Sequence, residues 1–330
     1  MKLYSCPVCG AALAFENLTC GCGADIYFDI ANDWFVTGAA GCSNRNVIGC
    51  NWIAGADGGL CHSCRMTEVV PDAFHNENLT LWAESERAKR LVLANLGRWG
   101  WFTPDDTGQK PVFHLMSEDT RAGEVAVIMG HQQGLVTINV TEADQVERIS
   151  RSLELGEQYR TMIGHYRHEL AHFLFERLRE RPMFHQQFRA VFGDESADYG
   201  AALARYYNQG PPENWNDSFV TPYASSHPHE DWAECTAHLL HLTDITDSFS
   251  AAGLVSPLLP FAGYNAYFEA DAEKLISVGV EIGIALNHVN RSMGISDIYP
   301  FVLTPTIRAK LAAVHLWLSA PPQAAVPAGG

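Results

Sequence analysis

Residues 165–174 read His-Tyr-Arg-His-Glu-Leu-Ala-His-Phe-Leu, so His168, Glu169 and His172 form the pattern H-E-x-x-H. On a helix, residues four apart are neighbours on one face, and two imidazoles placed in this way can bind a single ion. Zinc suits two imidazoles and a carboxylate, and it leaves a fourth position for a water whose pKa the ion lowers to about 7. Glu169 is then the general base. The competing reading makes His168 and His172 ordinary residues of a buried helix face. A third ligand downstream decides between the two.

The segment Tyr223-Ala-Ser-Ser-His-Pro-His-Glu-Asp-Trp-Ala-Glu234 supplies that ligand. Glu230 and Glu234 are four apart and open a helix, whose N-terminus tolerates their charge. The assignment favoured here puts Glu230 on the metal and Glu234 behind a ligand histidine, His168, accepting its ring N–H and fixing its tautomer. The reverse assignment, with Glu234 on the metal, stays open. So does a pair drawn from Asp194, Glu195 and Asp198, although an aspartate after the Phe192-Gly193 turn is more often a helix cap. His165, His227, His229, His238 and His241 lie near the site in sequence, with structural roles the simpler expectation. Tyr223, seven residues before Glu230, is a candidate donor to a developing oxyanion.

A second chemistry sits at the start of the chain, where eight of the nine cysteines fall within residues 6–64. Cys6-Pro-Val-Cys9 and Cys61-His-Ser-Cys64 are zinc-knuckle spacings, and the intervening cysteines complete two four-thiolate sets. These are Cys6, Cys9, Cys20 and Cys22, then Cys42, Cys50, Cys61 and Cys64. His62 is an alternative donor in the second. Saturated sites of this kind stabilise a module too small to fold on its own core, and they perform no chemistry.

These residues need elements to hold them. The first 70 residues are rich in Gly, Cys and Asn and lack periodicity, and Pro71 with the polar run Asn76–Asn78 marks a boundary. A helix is expected over 81–96, followed by β-like runs at 111–116, 124–129 and 134–140. Helices are then expected at about 142–154, 157–180, 183–191, 195–207, 230–243, 264–289 and 305–318. The fold class is therefore α+β. The expected organisation is a zinc-ribbon module over 1–70, a mainly helical domain with a short β-sheet over 78–320, and a disordered tail over 321–330. Trp34, Phe35, Trp52 and Ile53 are expected to pack around the metal loops.

A hydrophobic fraction of 47% excludes intrinsic disorder. Lys and Arg number 22 against 38 Asp and Glu, a net charge of −16 that disfavours nucleic acid. The first 70 residues carry no basic stripe to follow a phosphate backbone, so their expected partner is a protein. The opening MKLYSCPVCG places cysteines where an export signal has its apolar core, and no stretch is long enough to span a membrane. A cytoplasmic protein is expected.

H-E-x-x-H with a downstream E-x-x-x-E resembles the gluzincin zinc metallopeptidases, and the tyrosine seven residues before Glu230 resembles the anthrax lethal factor group. The segments 130–144, 157–173, 192–212, 223–244 and 297–305 are more specific. They resemble the bacterial zinc-binding metallopeptidase family whose members join an N-terminal zinc-ribbon region to a gluzincin-like domain. The resemblance implies metal on His168, His172 and Glu230, catalysis by Glu169, and a peptide or amide bond as the target. In that fold an extended substrate usually pairs with an edge strand above the active helix, and Gly134–Val140 is the expected strand. Cys20-Gly-Cys22 departs from the family's usual second C-x-x-C. The competing function is a zinc-ribbon adaptor that binds proteins and carries a vestigial or structural HExxH site.

Overall fold

The computed structural model describes residues 2–320 apart from 146, 150, 152–160, 258, 260, 262 and 300. The expected tail over 321–330 lies outside the described residues, as does part of the helix expected over 142–154. Two compact units divide the described chain, residues 3–173 and 174–320. The architecture is α+β, with small sheets towards the N-terminus and helices dominating the C-terminal part.

In the first unit the cysteine-rich segment forms two short antiparallel pairs, β1 (Tyr4–Ser5) with β2 (Ala12–Leu13) and β3 (Tyr27–Asp29) with β4 (Trp34–Val36). A single-turn helix α1 (Arg45–Ile48) follows. Strands this short carry little stability alone. A cluster of rings supports them: Phe28 meets Phe15 at 5.0 Å and Phe35 at 5.6 Å, and Tyr4 meets Phe35 edge-on at 5.2 Å. Phe35 and Trp52 are buried as expected, while Trp34 is exposed.

Strand β5 (Thr67–Val69), helix α2 (Asn76–Gly97) and strand β6 (Val112–Met116) form a parallel β-α-β unit. After a small hairpin, β7 (Asp119–Thr120) with β8 (Gly123–Glu124), come β9 (Gly130–Gln132) and β10 (Leu135–Asn139). The main sheet has the order β5-β6-β10-β9, with β10 parallel to β6 and antiparallel to β9. Of the run expected at 124–129, only Glu124 is in a strand. The β9–β10 turn is Gln133-Gly134, with φ of 50° and 87°. Positive φ at both central residues is what a two-residue hairpin requires, which explains glycine at 134.

One consequence is a correction. Gly134–Val140 was expected to be a free edge, but Leu135, Val136 and Thr137 pair with β6 on one side and β9 on the other. The edge is β9. Its sequence, Gly-His-Gln, has no β-branched residue and so carries no strand signal.

Helix α3 (Met162–Leu178) contains the H-E-x-x-H pattern, and the unit boundary falls inside it. Within the first unit its apolar side is held by Tyr166, whose hydroxyl shares a hydrogen bond with Ser85 Oγ of α2 at 2.8 Å. Tyr166 also meets Phe113 of β6 at 5.8 Å, and Phe173 meets Phe102 at 5.7 Å. Tyr166, Leu170 and Phe173 are at most 1% exposed, and burial of side chains this size contributes about 1.5–3 kcal/mol each.

The second unit continues with α4 (Phe184–Phe192), α5 (Tyr199–Gln209), α6 (Pro228–Ala251), α7 (Ala272–Ser292) and α8 (Pro305–Leu318). The helix expected over 264–289 starts only at Ala272, because the Asp271 side chain caps it by accepting from the Lys274 N–H. Asp198 caps α5 in the same way, accepting from the Ala201 N–H. Phe175, at the end of α3, packs on Phe188 at 5.0 Å and on His229 at 4.4 Å. Trp232 of α6 fills the same aromatic cluster beside Phe184 and Phe192. Gly279 lets α7 pass close to α6: a Cβ there would lie 3.0 Å from Leu242 Cβ.

Candidate metal centres and catalytic site

The N-terminus of α6 is built to hold carboxylates. His227 caps it with Nδ1 accepting from the His229 N–H at 3.1 Å, and Pro228 stands in the first turn, where a missing N–H costs nothing. Glu230 and Asp231 follow, 1% and 0% exposed. Asp231 has its own cation: Lys310 Nζ of α8 donates to Asp231 Oδ2 at 2.6 Å and to the Ser218 carbonyl at 2.6 Å. Burial pushes the Asp231 carboxyl up to about 6 even against the pull of Lys310.

Glu230 is handled differently. The Tyr199 hydroxyl, at the first residue of α5, donates to Glu230 Oε1 at 2.7 Å. One turn further along α6, the Thr221 hydroxyl donates to Glu234 Oε2 at 2.8 Å. Tyr223 opens a short 3-10 turn before α6, with its ring edge-on to Tyr206 at 5.7 Å.

On α3, His168 Nε2 and His172 Nε2 face each other at 3.2 Å. Two nitrogens bound tetrahedrally to zinc at its usual bond length would be about 3.3 Å apart. His168, His172 and Glu230 each offer a ligand atom, and the three atoms lie within 4.8 Å of one another. Glu169, 7% exposed, has Oε2 buried with no hydrogen-bond partner among the described residues. A buried carboxylate oxygen left unpaired is costly unless something absent from the chain occupies its neighbourhood. Converging donors of the right chemistry and this orphaned oxygen both fit a zinc ion with a water beside it.

The acidic competitors are engaged elsewhere. Asp194 accepts from the Ser196 N–H and hydroxyl, Glu195 pairs with Arg189 and His185, and Asp198 is the α5 cap. His165 Nε2 lies 2.9 Å from Glu142 Oε2. His238 and His241 are buried in α6, with His238 edge-on to Phe301 at 4.2 Å.

Two residues beside the site carry no motif spacing. Tyr199 is 31 positions from Glu230 in sequence, so no periodicity links them. His131 on β9 stacks on His172 with centroids 6.5 Å apart and planes 11° from parallel. Its Nε2 accepts from the Gly134 N–H at 3.1 Å. The Gln133-Gly134 pair was the available signal for that hairpin.

The cysteine sets assemble as their spacing implies. Cys6, Cys9, Cys20 and Cys22 converge, and so do Cys42, Cys50, Cys61 and Cys64. Sulfur separations are 3.6 Å for Cys9–Cys20, 3.9 Å for Cys6–Cys22, 3.6 Å for Cys50–Cys61 and 3.8 Å for Cys50–Cys64. These match the roughly 3.8 Å edge of a zinc–tetrathiolate tetrahedron and are far from the roughly 2.05 Å of a disulfide. All nine cysteines are free thiols. In the fully buried second set, hydrogen bonds from Cys50, Cys61 and Cys64 hold the Cys42 thiol well below its ordinary range, while contacts with Cys42, Cys50 and Cys61 push Cys64 up. His62 is not needed as a donor: its Nε2 lies 2.8 Å from the Phe102 carbonyl oxygen.

Fold and site together define an α+β protein with a potential metal centre of two histidines and a glutamate, and two four-cysteine sets. Residues 78–317 match the family described as "Putative zinc-binding metallo-peptidase", and the chain belongs to that family. It is 37% identical to an uncharacterized protein of Mycobacterium bovis over 336 aligned residues, covering 96% of this chain and 94% of the relative. Uncharacterized proteins of two Mycobacterium tuberculosis strains match with the same identity and coverage. No solved structure matches the chain. No helix among the described residues is long and apolar enough to cross a membrane.

Proposed function

We propose that the protein is a zinc-dependent hydrolase of gluzincin type that cleaves a peptide or amide bond. The observation that carries this is the convergence of His168, His172 and Glu230 beside the buried, unpaired Oε2 of Glu169. His168 and His172 would hold zinc through Nε2, and Glu230 through a carboxylate oxygen. When bound, zinc supplies the positive charge that acidifies water and polarises a carbonyl.

The chain's own residues do the rest. Glu169 accepts the proton of the attacking water, and as the C–N bond breaks it delivers that proton to the leaving nitrogen. The products are a carboxylate and an amine. Tyr223 is the proposed hydrogen-bond donor to the oxyanion, and Glu234 the proposed orienter of His168. Strand β9 replaces Gly134–Val140 as the edge along which an extended substrate would pair, because β10 already has partners on both sides. The two cysteine sets would each hold a structural zinc and shape a surface for a protein partner. A cytoplasmic setting suits eight zinc-spaced free thiols.

The test combines metal analysis with Glu169→Gln. The reading expects three zinc ions per chain, cleavage of a peptide library by the wild type, and a Glu169→Gln variant that keeps all three ions but has lost turnover by about 10²-fold or more. Two ions per chain and no cleavage would favour an adaptor, and a fully active Glu169→Gln would remove the mechanism.

A further inference from the structure

We propose that Arg90 of α2 is the counter-charge of a zinc–tetrathiolate at Cys42, Cys50, Cys61 and Cys64, a positioning residue that keeps the ion in a site closed to water. The inference rests on the reading of that cysteine set as a zinc site. Four thiolates around one dication leave a net charge of about −2. At the first set water can screen such a charge, since Cys9 and Cys22 are exposed. At the second no cysteine is more than 2% exposed. A charge withdrawn from water in this way needs an opposite charge inside the protein.

Helix α2 supplies one. Its residues Glu86, Lys89 and Arg90 are all at most 3% exposed, two cations around a single carboxylate. Lys89 takes that carboxylate: Nζ donates to Glu86 Oε1 at 2.7 Å, and the Thr67 hydroxyl donates to the same oxygen at 2.6 Å. Arg90 is left at a distance, with Nη1 3.9 Å from Glu86 Oε2 and neither atom hydrogen-bonded among the described residues. The cluster therefore buries a surplus positive charge, and a guanidinium cannot shed its proton to remove it. Alone, such a surplus is destabilising; beside a site of charge about −2 it is the complement that site lacks.

The two halves meet at the peptide before Cys50. Arg90 Nη2 donates to the Gly49 carbonyl at 3.4 Å, and that carbonyl is bonded to the Cys50 nitrogen. Contact with Cys42 and burial push the Cys50 thiol up, but contacts with Cys61 and Cys64 and the Arg90 charge outweigh them and hold it below its ordinary range. The same helix reaches α3 as well, because Ser85, next to Glu86, shares its hydrogen bond with Tyr166. All these residues lie in the unit 3–173. Arg90 thereby ties the second cysteine set to the helix that supports the H-E-x-x-H segment.

Arg90→Met removes the charge and keeps a long side chain, whereas Arg90→Lys keeps the charge and loses the planar fork. The measurement, on the full zinc-loaded chain, is zinc release to a competing chelator followed by alkylation of the freed thiols, mapped residue by residue by mass spectrometry. Arg90→Met is expected to weaken zinc at Cys42, Cys50, Cys61 and Cys64 by about 10- to 100-fold and to leave the Cys6, Cys9, Cys20 and Cys22 set unchanged. Arg90→Lys should restore most of that loss. The order of the two variants is diagnostic even where Arg90→Met is less stable, because a role in packing alone favours methionine over a buried ammonium. A second set held as tightly in Arg90→Met as in the wild type, or no more weakly there than in Arg90→Lys, overturns this inference alone. A wild type whose second set holds no zinc overturns the zinc reading of that set and this inference with it.

Discussion

Replacing Lys310 by methionine tests whether the start of α6 is held by the buried pair beneath it. Lys310 and Asp231 are 6% and 0% exposed at their side chains, so water screens neither. The ammonium also donates to the Ser218 carbonyl and lies 4.2 Å from the centroid of the Phe219 ring. Asp231 Oδ1 lies 3.5 Å from Cys235 Sγ, a weak donor that cannot replace a lysine. Removing one member of such a pair leaves a buried charge uncompensated and costs about 3–5 kcal/mol. For a unit of this size that lowers the melting temperature by about 6–20 °C. The assay is thermal unfolding followed through tryptophan emission, Trp232 being fully buried in the same unit. Asp231→Asn should cost a comparable amount, and the double variant Lys310→Met/Asp231→Asn should recover much of the loss, because no charge is then left buried. A single-variant shift below 2 °C, or a double variant whose loss equals the sum of the two singles, would refute the reasoning.

Other outcomes follow from the same physical arguments. Cys61→Ser removes a donor from a fully buried set; the protein should lose one zinc by metal analysis and unfold at a markedly lower temperature, whereas Cys235→Ser should leave the zinc count unchanged. Gly134→Ala places a Cβ at φ 87° in the β9–β10 turn and should destabilise by about 1–2 kcal/mol in urea unfolding, shortening β9 by hydrogen exchange. Burial holds the His315 imidazole below its ordinary range although Glu269 and Asp271 pull it upward. The unfolded chain therefore takes up that proton first as pH falls through about 6.5, and stability is lost below that pH with a slope of up to about 1.4 kcal/mol per unit. His315→Gln should flatten that part of a stability-versus-pH curve.

Much of the site was legible because its residues obey short-range rules. His168 and His172 share a face by helical spacing, Glu230 sits where a helix N-terminus welcomes a carboxylate, and cysteine intervals alone gave both thiol sets. The sheet was less so. Its parallel pairs join β5 to β6 across the whole of α2, and β6 to β10 across a hairpin, so no local pattern encodes their order. The free edge was misplaced for a related reason: β10, rich in Val, Thr and Ile, advertises itself as a strand, while Gly130-His-Gln132 advertises nothing and owes its pairing to the Gln133-Gly134 turn. Tyr199 was beyond reach altogether, since its link to Glu230 exists only once α5 and α6 are folded together.

That last contact bears on why two consecutive buried acids are tolerated at one helix start. The α6 N-terminus offers each some stabilisation through its unpaired N–H groups, but Glu230 and Asp231 are then treated unequally. Asp231 receives a full positive charge from Lys310. Glu230 receives the Tyr199 hydroxyl, which stabilises a carboxylate without cancelling its charge. An acid neutralised by lysine has no charge left to offer an ion, whereas one held by a hydroxyl keeps its charge. The chain thus separates a carboxylate that anchors α6 from one that can bind metal. Exchanging the two kinds of support, by giving Glu230 a lysine in place of Tyr199, should abolish zinc at the histidine site while leaving α6 folded; retention of the third ion in Tyr199→Lys would show that charge compensation is not what distinguishes the two acids.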